Sequence, residues 1–126
     1  MIKNFTDLEV WKEAHELTLL IYRITKSFPK DETFGLIPQI KRATISIESN
    51  IAEGFARYHY KDRLNFYYNS RGSISEVESQ LITSKDLGYL KEDGFKKIFE
   101  QAEKIGRILN GLIRSTEDLS RSKDKT

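Results

Sequence analysis

Residues 39–57, "QIKRATISIESNIAEGFAR", carry the clearest structural signal in the chain. At about 100° per residue, Ile40, Ala43, Ile47, Ile51 and Gly54 fall along one flank of a helix. Gln39, Arg42, Ser46, Asn50, Glu53 and Arg57 form a narrow polar stripe beside it. The period is helical, and no other segment shows sustained two-residue alternation bounded by turn residues. An all-α fold follows.

The polar stripe has three readings. Solvent exposure accounts for its charges but not for Ser46 and Asn50, which helix interiors disfavour. RNA contact suits Arg42 and Arg57 but makes Glu53 a liability. A largely buried polar network fits best. In it Gln39, Arg42, Ser46, Asn50 and Glu53 face third-helix carboxylates such as Glu76 or Glu78 and fix how helices or subunits register. Ile45, Ala52 and Ala56 lie on the side away from Ile40, Ile47 and Ile51. A helix apolar on two sides needs two partners, so the pattern predicts self-association.

Three further helices extend outward from this segment. Before it, "FTDLEV" reads as a helix start, with Thr6 as N-cap, Glu9 closing a capping box, and Phe5 and Val10 as a hydrophobic staple. Leu8, Trp11, Ala14, Leu17, Leu20 or Ile21, Ile24 and Phe28 continue at helical spacing up to Pro29. "PKDETFGLIPQ" is a connector with room for one helical turn, and Pro38 suits the first position of the next helix. After "RYHY", Leu64, Tyr67 or Tyr68, Ile74, Val77, Leu81 and Leu87 outline a third helix ending near Gly88. Gly72 within it predicts close approach of another backbone. The fourth helix begins at Glu92 or Asp93 and carries Phe95, Ile98, Phe99, Ala102, Ile105, Leu109, Leu112, Ile113 and Thr116. Short connections imply an antiparallel up-down-up-down four-helix bundle. One domain spans residues 1–119, and 120–126 form a charged tail expected to be disordered.

Composition narrows the functional classes. The 126 residues suit one domain. The absence of cysteine excludes disulfides, thiol catalysis and cysteine-ligated metals. No window reaches the length of an apolar membrane span, and "MIKNFTDLEV" lacks a signal peptide's apolar run, so the expected compartment is the cytoplasm. His15 and His59 have Lys12 and Ala56 three positions before them, so the paired Glu-x-x-His of di-iron bundles is missing. "GSISEVES" has no Gly-x-Ser-x-Gly elbow, and there is no phosphate-cradling glycine loop. Neither an enzymatic reaction nor a cofactor or metal is expected.

The net charge is only +2, but the basic residues concentrate in the middle of the chain. Lys41, Arg57, Lys61, Arg63 and Arg71 are the candidate nucleic-acid contacts. Tyr58, Tyr60, Phe66, Tyr67 and Tyr68 lie among them as stacking surfaces of the kind single-stranded nucleic acid uses. Helix-end charges that are merely solvated, with tyrosines half-buried at a bundle end, are the alternative.

"FTDLEVWKEAHEL", "FGLIPQIKRATISIESNIAEGFAR" and "GSISEVESQL…DLGYL" together resemble the four-helix-bundle family of 23S rRNA intervening-sequence proteins, from about Phe5 to Ile113. The resemblance implies a non-enzymatic antiparallel bundle that assembles as a ring-like homopentamer, with members encoded within insertions of bacterial 23S rRNA genes. It extends to the accessory protein of diversity-generating retroelements, a relation that implies nucleic acid and a reverse transcriptase as partners. Ile37 and His59 stand where a Ser or Thr cap is usual in the family. A pentamer at +2 per chain carries about +10 formally, a weaker attraction for RNA than a strongly basic ring. The expected function is RNA or ribonucleoprotein binding by a homo-oligomer, with a protein-interaction scaffold as the alternative.

Overall fold

Ile40, Ala43, Ile47 and Ile51 are buried along one side of a 20-residue helix, as the opening stripe requires. The computed structural model describes residues 1–124. Its four helices are α1 (Glu9–Ile24), α2 (Leu36–Phe55), α3 (Tyr60–Asp86) and α4 (Glu92–Asp124), and no strand occurs among the described residues. Each helix packs on its neighbour in sequence, and α4 packs back on α1.

The four apolar stripes form one core. Val10, Ala14, Leu17 and Ile21 of α1 meet the α2 stripe. Leu64, Tyr67, Ile74, Val77 and Leu81 come from α3, and Ile98, Ala102, Ile105, Leu109 and Ile113 from α4. Each large aliphatic side chain removed from water contributes about 1.5–3 kcal/mol. The α3 stripe is harder to read in sequence because buried Ser70 and Ser84 interrupt it. Both hydroxyls donate to backbone carbonyls, Ser70 to Ile47 of α2 at 2.9 Å and Ser84 to Gln80 at 2.8 Å. Burial therefore leaves neither without a partner.

Several local expectations are corrected. The N-terminal capping box is made by Asn4 and Asp7 around a 3-10 turn, Phe5–Asp7, rather than by Thr6 and Glu9. Helix α1 starts at Glu9 with Leu8 as a cap that supplies no side-chain bond. Gly35, rather than Ile37, caps α2, so Pro38 is its third residue. The missing N–H still costs nothing there, because the first four helical N–H groups lack intrahelical partners. His59 caps α3 without a side-chain bond, as its chemistry at that position implies.

Gly72 has nothing within 4 Å of where a Cβ would stand, so among the described residues no neighbouring element approaches it. The close approach occurs at Gly54, where a Cβ would lie 2.7 Å from the Tyr67 ring. At the end of α3, Gly88 adopts φ +83°, and the N–H groups of Gly88 and Tyr89 donate to the carbonyls of Lys85 and Ser84. This paired termination needs a left-handed residue, which glycine supplies without a Cβ clash.

Helix α4 continues past residue 119 to Asp124. Its inward stripe runs on through Thr116 to Ser120, both buried. Small polar residues carry the stripe there, so a reading that requires apolar anchors ends too early. Residues 125 and 126 of the expected tail lie outside the described residues.

Candidate functional site

The turn between α2 and α3 is built by an arginine clamp. Arg63 Nε donates to the Arg57 carbonyl at 2.7 Å, engaging a backbone acceptor just beyond the C-terminus of α2. Its guanidinium lies 5.4 Å from the Phe55 ring centroid and 5.7 Å from that of Tyr60. The same charge acts on the Tyr67 phenol, whose pKa is raised by burial while the nearby Arg63 guanidinium opposes the rise. Arg63 is thus held from several sides at once, as its planar fork allows.

Arg57 is exposed, its guanidinium 4.7 Å from the Phe66 ring centroid. Tyr58 is 87% exposed, and its ring meets that of His59 edge-on at 5.1 Å. Tyr58, His59, Tyr60, Lys61, Asp62 and Arg63, with Ser120 of α4, line an open cleft of about 560 Å³. A cleft of this size is in the range that admits a nucleotide-sized ligand.

The five candidate contacts do not form one continuous patch. Arg57, Lys61 and Arg63 gather at the turn. Arg71 lies further along α3, about 12 Å from Arg63 at 1.5 Å rise per residue. It sits 5.2 Å from the Tyr68 ring centroid and donates to Asn110 Oδ1 over a long 3.4 Å. Lys41 is near the start of α2, more than about 20 Å along the helix from Arg57. Its ammonium lies 4.6 Å from the Tyr22 ring centroid on α1.

One basic residue near this region was missed. Arg121 pairs with Asp118, and its charge, like that of Arg71, acts on the Tyr68 phenol. That phenol donates to Glu117 Oε2 at 2.6 Å, and the bond raises its pKa. Arg121 went unread because it was assigned to the tail. Its proximity to Tyr68 depends on α4 remaining helical beyond residue 119.

The stripe expected to form one buried network divides instead. Ser46 and Asn50 are half-buried and joined, with Asn50 Nδ2 donating to the Ser46 carbonyl at 2.8 Å and to its hydroxyl at 2.9 Å. Ser73 of α3 donates to the same Ser46 hydroxyl at 2.9 Å. Gln39, Arg42 and Glu53 are exposed in the chain. Glu76 is exposed and accepts from Gln80, while Glu78 feels Glu103 of α4. Helix α3 meets Ser46 through Ser73 rather than through a carboxylate. Burying charge beside this core would cost several kcal/mol per ion.

Polar contacts elsewhere join the helices. Glu48 of α2 accepts from Thr18 at 2.5 Å and lies 3.2 Å from Nδ1 of His15, whose ring stacks on Trp11. Gln101 of α4 donates to the Glu13 carbonyl and carboxylate at 2.9 and 3.0 Å, and Lys104 adds an ion pair at 3.1 Å. No group of three His, Cys, Asp or Glu side chains suited to a metal ion occurs among the described residues. No helix among them is long and apolar enough to cross a membrane.

The architecture has a counterpart among solved structures. A crystal structure from Bacteroides thetaiotaomicron VPI-5482, described as a protein with unknown function from the S23 ribosomal protein family, superposes with a TM-score of 0.78. The two chains are 22% identical, and the match covers 83% of this chain and 95% of that one. It shows a shared fold. Among curated proteins, none matches the chain. A family model described as 23S rRNA-intervening sequence protein matches residues 6–111, a span that includes α1 to α3, the basic turn and most of α4. The chain belongs to the 23S rRNA-intervening sequence protein family.

Proposed function

We propose that the protein is a non-enzymatic homo-oligomer that binds RNA or a ribonucleoprotein through the turn between α2 and α3. The observation that carries this reading is that Lys61 and Arg63 line one open cleft with Tyr58 and Tyr60, while Arg57 stands next to it at the same turn. Cations beside aromatic faces supply the phosphate attraction and stacking that single-stranded nucleic acid requires. Membership in a family named for 23S rRNA insertions agrees with this reading.

In this proposal the helices run up-down-up-down and the chains assemble as a homopentameric ring. Pairing order supports the antiparallel arrangement. Ser70 meets Ile47 while the later Ser73 meets the earlier Ser46, and Tyr68 meets Glu117 while Arg71 meets Asn110. Leu19 and Tyr22 of α1 and Ile45 of α2 are exposed apolar side chains that favour a second copy as a partner.

Titrating labelled RNA with the full chain across a salt series tests the proposed function. Affinity should fall steeply with salt as phosphate counterions are released. Arg57→Gln with Lys61→Gln should weaken binding at low salt. Binding that is absent at low salt, or indifferent to salt, overturns the reading. The second reading is a protein-interaction scaffold, favoured by the same exposed apolar residues. It predicts partner capture that survives nuclease treatment and charge reversal at Lys61 and Arg63. Light scattering tests assembly, and a clean monomer removes the ring.

A further inference from the structure

We infer that the cleft at the α2–α3 turn takes an unpaired RNA nucleotide, with its base stacked on Tyr58, and discriminates against duplex. This rests on the RNA-binding reading above and narrows it to a substrate class and a residue. Tyr58 is 87% exposed, whereas the neighbouring Tyr60 is half-buried and Tyr67 is buried. The fold therefore leaves the Tyr58 ring projecting into solvent at the turn. The His59 ring stands at 90° to that ring with centroids 5.1 Å apart, an arrangement in which the imidazole covers at most one of the two broad faces of Tyr58.

The electrostatics fit one or two phosphates. Arg57 and Lys61 flank Tyr58 in sequence, and Arg63 contributes positive charge to the cleft while fixing the turn. Asp62 lines the same cleft, and Glu117 and Asp118 stand beside Tyr68 and Arg121, limiting the positive field. Double-stranded DNA presents one charge for about every 1.7 Å of its axis, and a duplex of either kind is held best by an extended cationic track. Lys41 lies about 20 Å or more along α2 and faces Tyr22, so it does not extend the turn into such a track.

A base held in a duplex is covered by its neighbours and cannot stack on a side chain without being extruded. An unpaired base offers its face directly. Stacking on tyrosine tolerates any base, so the cleft selects strandedness rather than sequence. The occupant is a segment of single strand, a loop or a bulge.

Fluorescence anisotropy of the full chain with a labelled oligouridine strand, and with an RNA duplex of equal length, tests this inference. Tyr58→Ala should weaken single-strand binding by roughly tenfold and leave the weaker duplex binding unchanged. Tyr58→Phe should restore the single-strand affinity, because the ring is kept. Circular dichroism should show the same helicity in all three proteins. If Tyr58→Ala binds the single strand as the native chain does, or if duplex binds equally tightly, the inference is overturned while salt-dependent RNA binding stands. If neither RNA binds the native chain at low salt, both this inference and the RNA-binding reading fall.

Discussion

A Cβ placed on Gly54 would stand 2.7 Å from Cε1 of Tyr67 and 3.0 Å from Cβ of Phe66. Tyr67 is buried, and its ring occupies the space that any larger side chain at position 54 would need. This contact sets how closely α2 and α3 approach beside the basic turn. The fold and the candidate cleft therefore share a packing constraint.

Gly54→Ala should destabilise the protein by up to about 2.5 kcal/mol. Overpacking costs about 1–3 kcal/mol, and the better helix propensity of alanine returns about 0.5–1 kcal/mol. Gly72→Ala should do the opposite, gaining about 0.5–1 kcal/mol, because nothing among the described residues lies near its Cβ position. Urea unfolding midpoints of the two variants separate the cases. A Gly72→Ala variant that loses stability and changes mass in light scattering would place another copy's backbone against Gly72.

Arg63 should matter more to the turn's stability than its partial exposure suggests. Its Nε bonds the Arg57 carbonyl, and its guanidinium lies by Phe55 and Tyr60. Arg63→Lys keeps the charge but loses the fork and the planar stack, so it should cost about 1.5–3 kcal/mol. Thermal unfolding would show the loss, and a lysine variant as stable as the native chain would assign Arg63 to the surface alone.

Glu78 gives a pH dependence whose sign follows from its surroundings. Burial raises its carboxyl above the usual glutamate range, and the Glu103 charge adds to the rise. The folded chain thus keeps this proton at pH values where the unfolded chain has released it. Its contribution to stability falls as pH rises from the ordinary glutamate range through the raised folded value, and the loss is complete above that. Glu78→Gln should therefore unfold at a higher temperature at pH 7, a gain of a few tenths to about 1 kcal/mol. The advantage should shrink toward pH 4.

Three other carboxylates work in the opposite sense. Backbone hydrogen bonds from Lys3 and Asn4 lower Asp7, the Gln101 and Lys104 side chains lower Glu13, and the Leu36 N–H with the Tyr89 hydroxyl lowers Glu32. Their stabilising contributions are present above the unfolded pKa and lost as pH falls through the folded values. Acid should consequently still unfold Glu78→Gln, and a scan of melting temperature from pH 7 to pH 3 would separate the two trends.

Asn50→Leu removes two hydrogen bonds to Ser46 and leaves the Ser46–Ser73 contact beside an apolar side chain. Circular dichroism should show retained helicity, since leucine is a better helix former than asparagine. If this polar contact fixes the register of subunits, mass by light scattering should become heterogeneous. An unchanged mass would restrict its role to α2 and α3 within one chain.

Helix type and approximate extent were legible because they depend on local periodicity. Ile40, Ile47 and Ile51 recur at helical spacing, and Glu92 marks the start of α4. The basic residues around the α2–α3 turn were legible from proximity in sequence. Which stripe residues are buried was not, because Ser46 and Glu53 share a face but meet different surroundings. Ser46 finds Ser73, while Glu53 remains exposed.

By itself, then, the sequence determined four amphipathic helices, their family and a basic, aromatic-rich turn. Only the tertiary structure decided that Gly54 rather than Gly72 meets a neighbouring helix, that Arg63 clamps the turn, and that Tyr58 remains outside it. It also showed that Thr116 and Ser120 continue the α4 core stripe. The physical reason is common to all of them. Periodicity states which side of a helix a residue occupies, whereas the distance to a neighbour depends on how two helices are placed together.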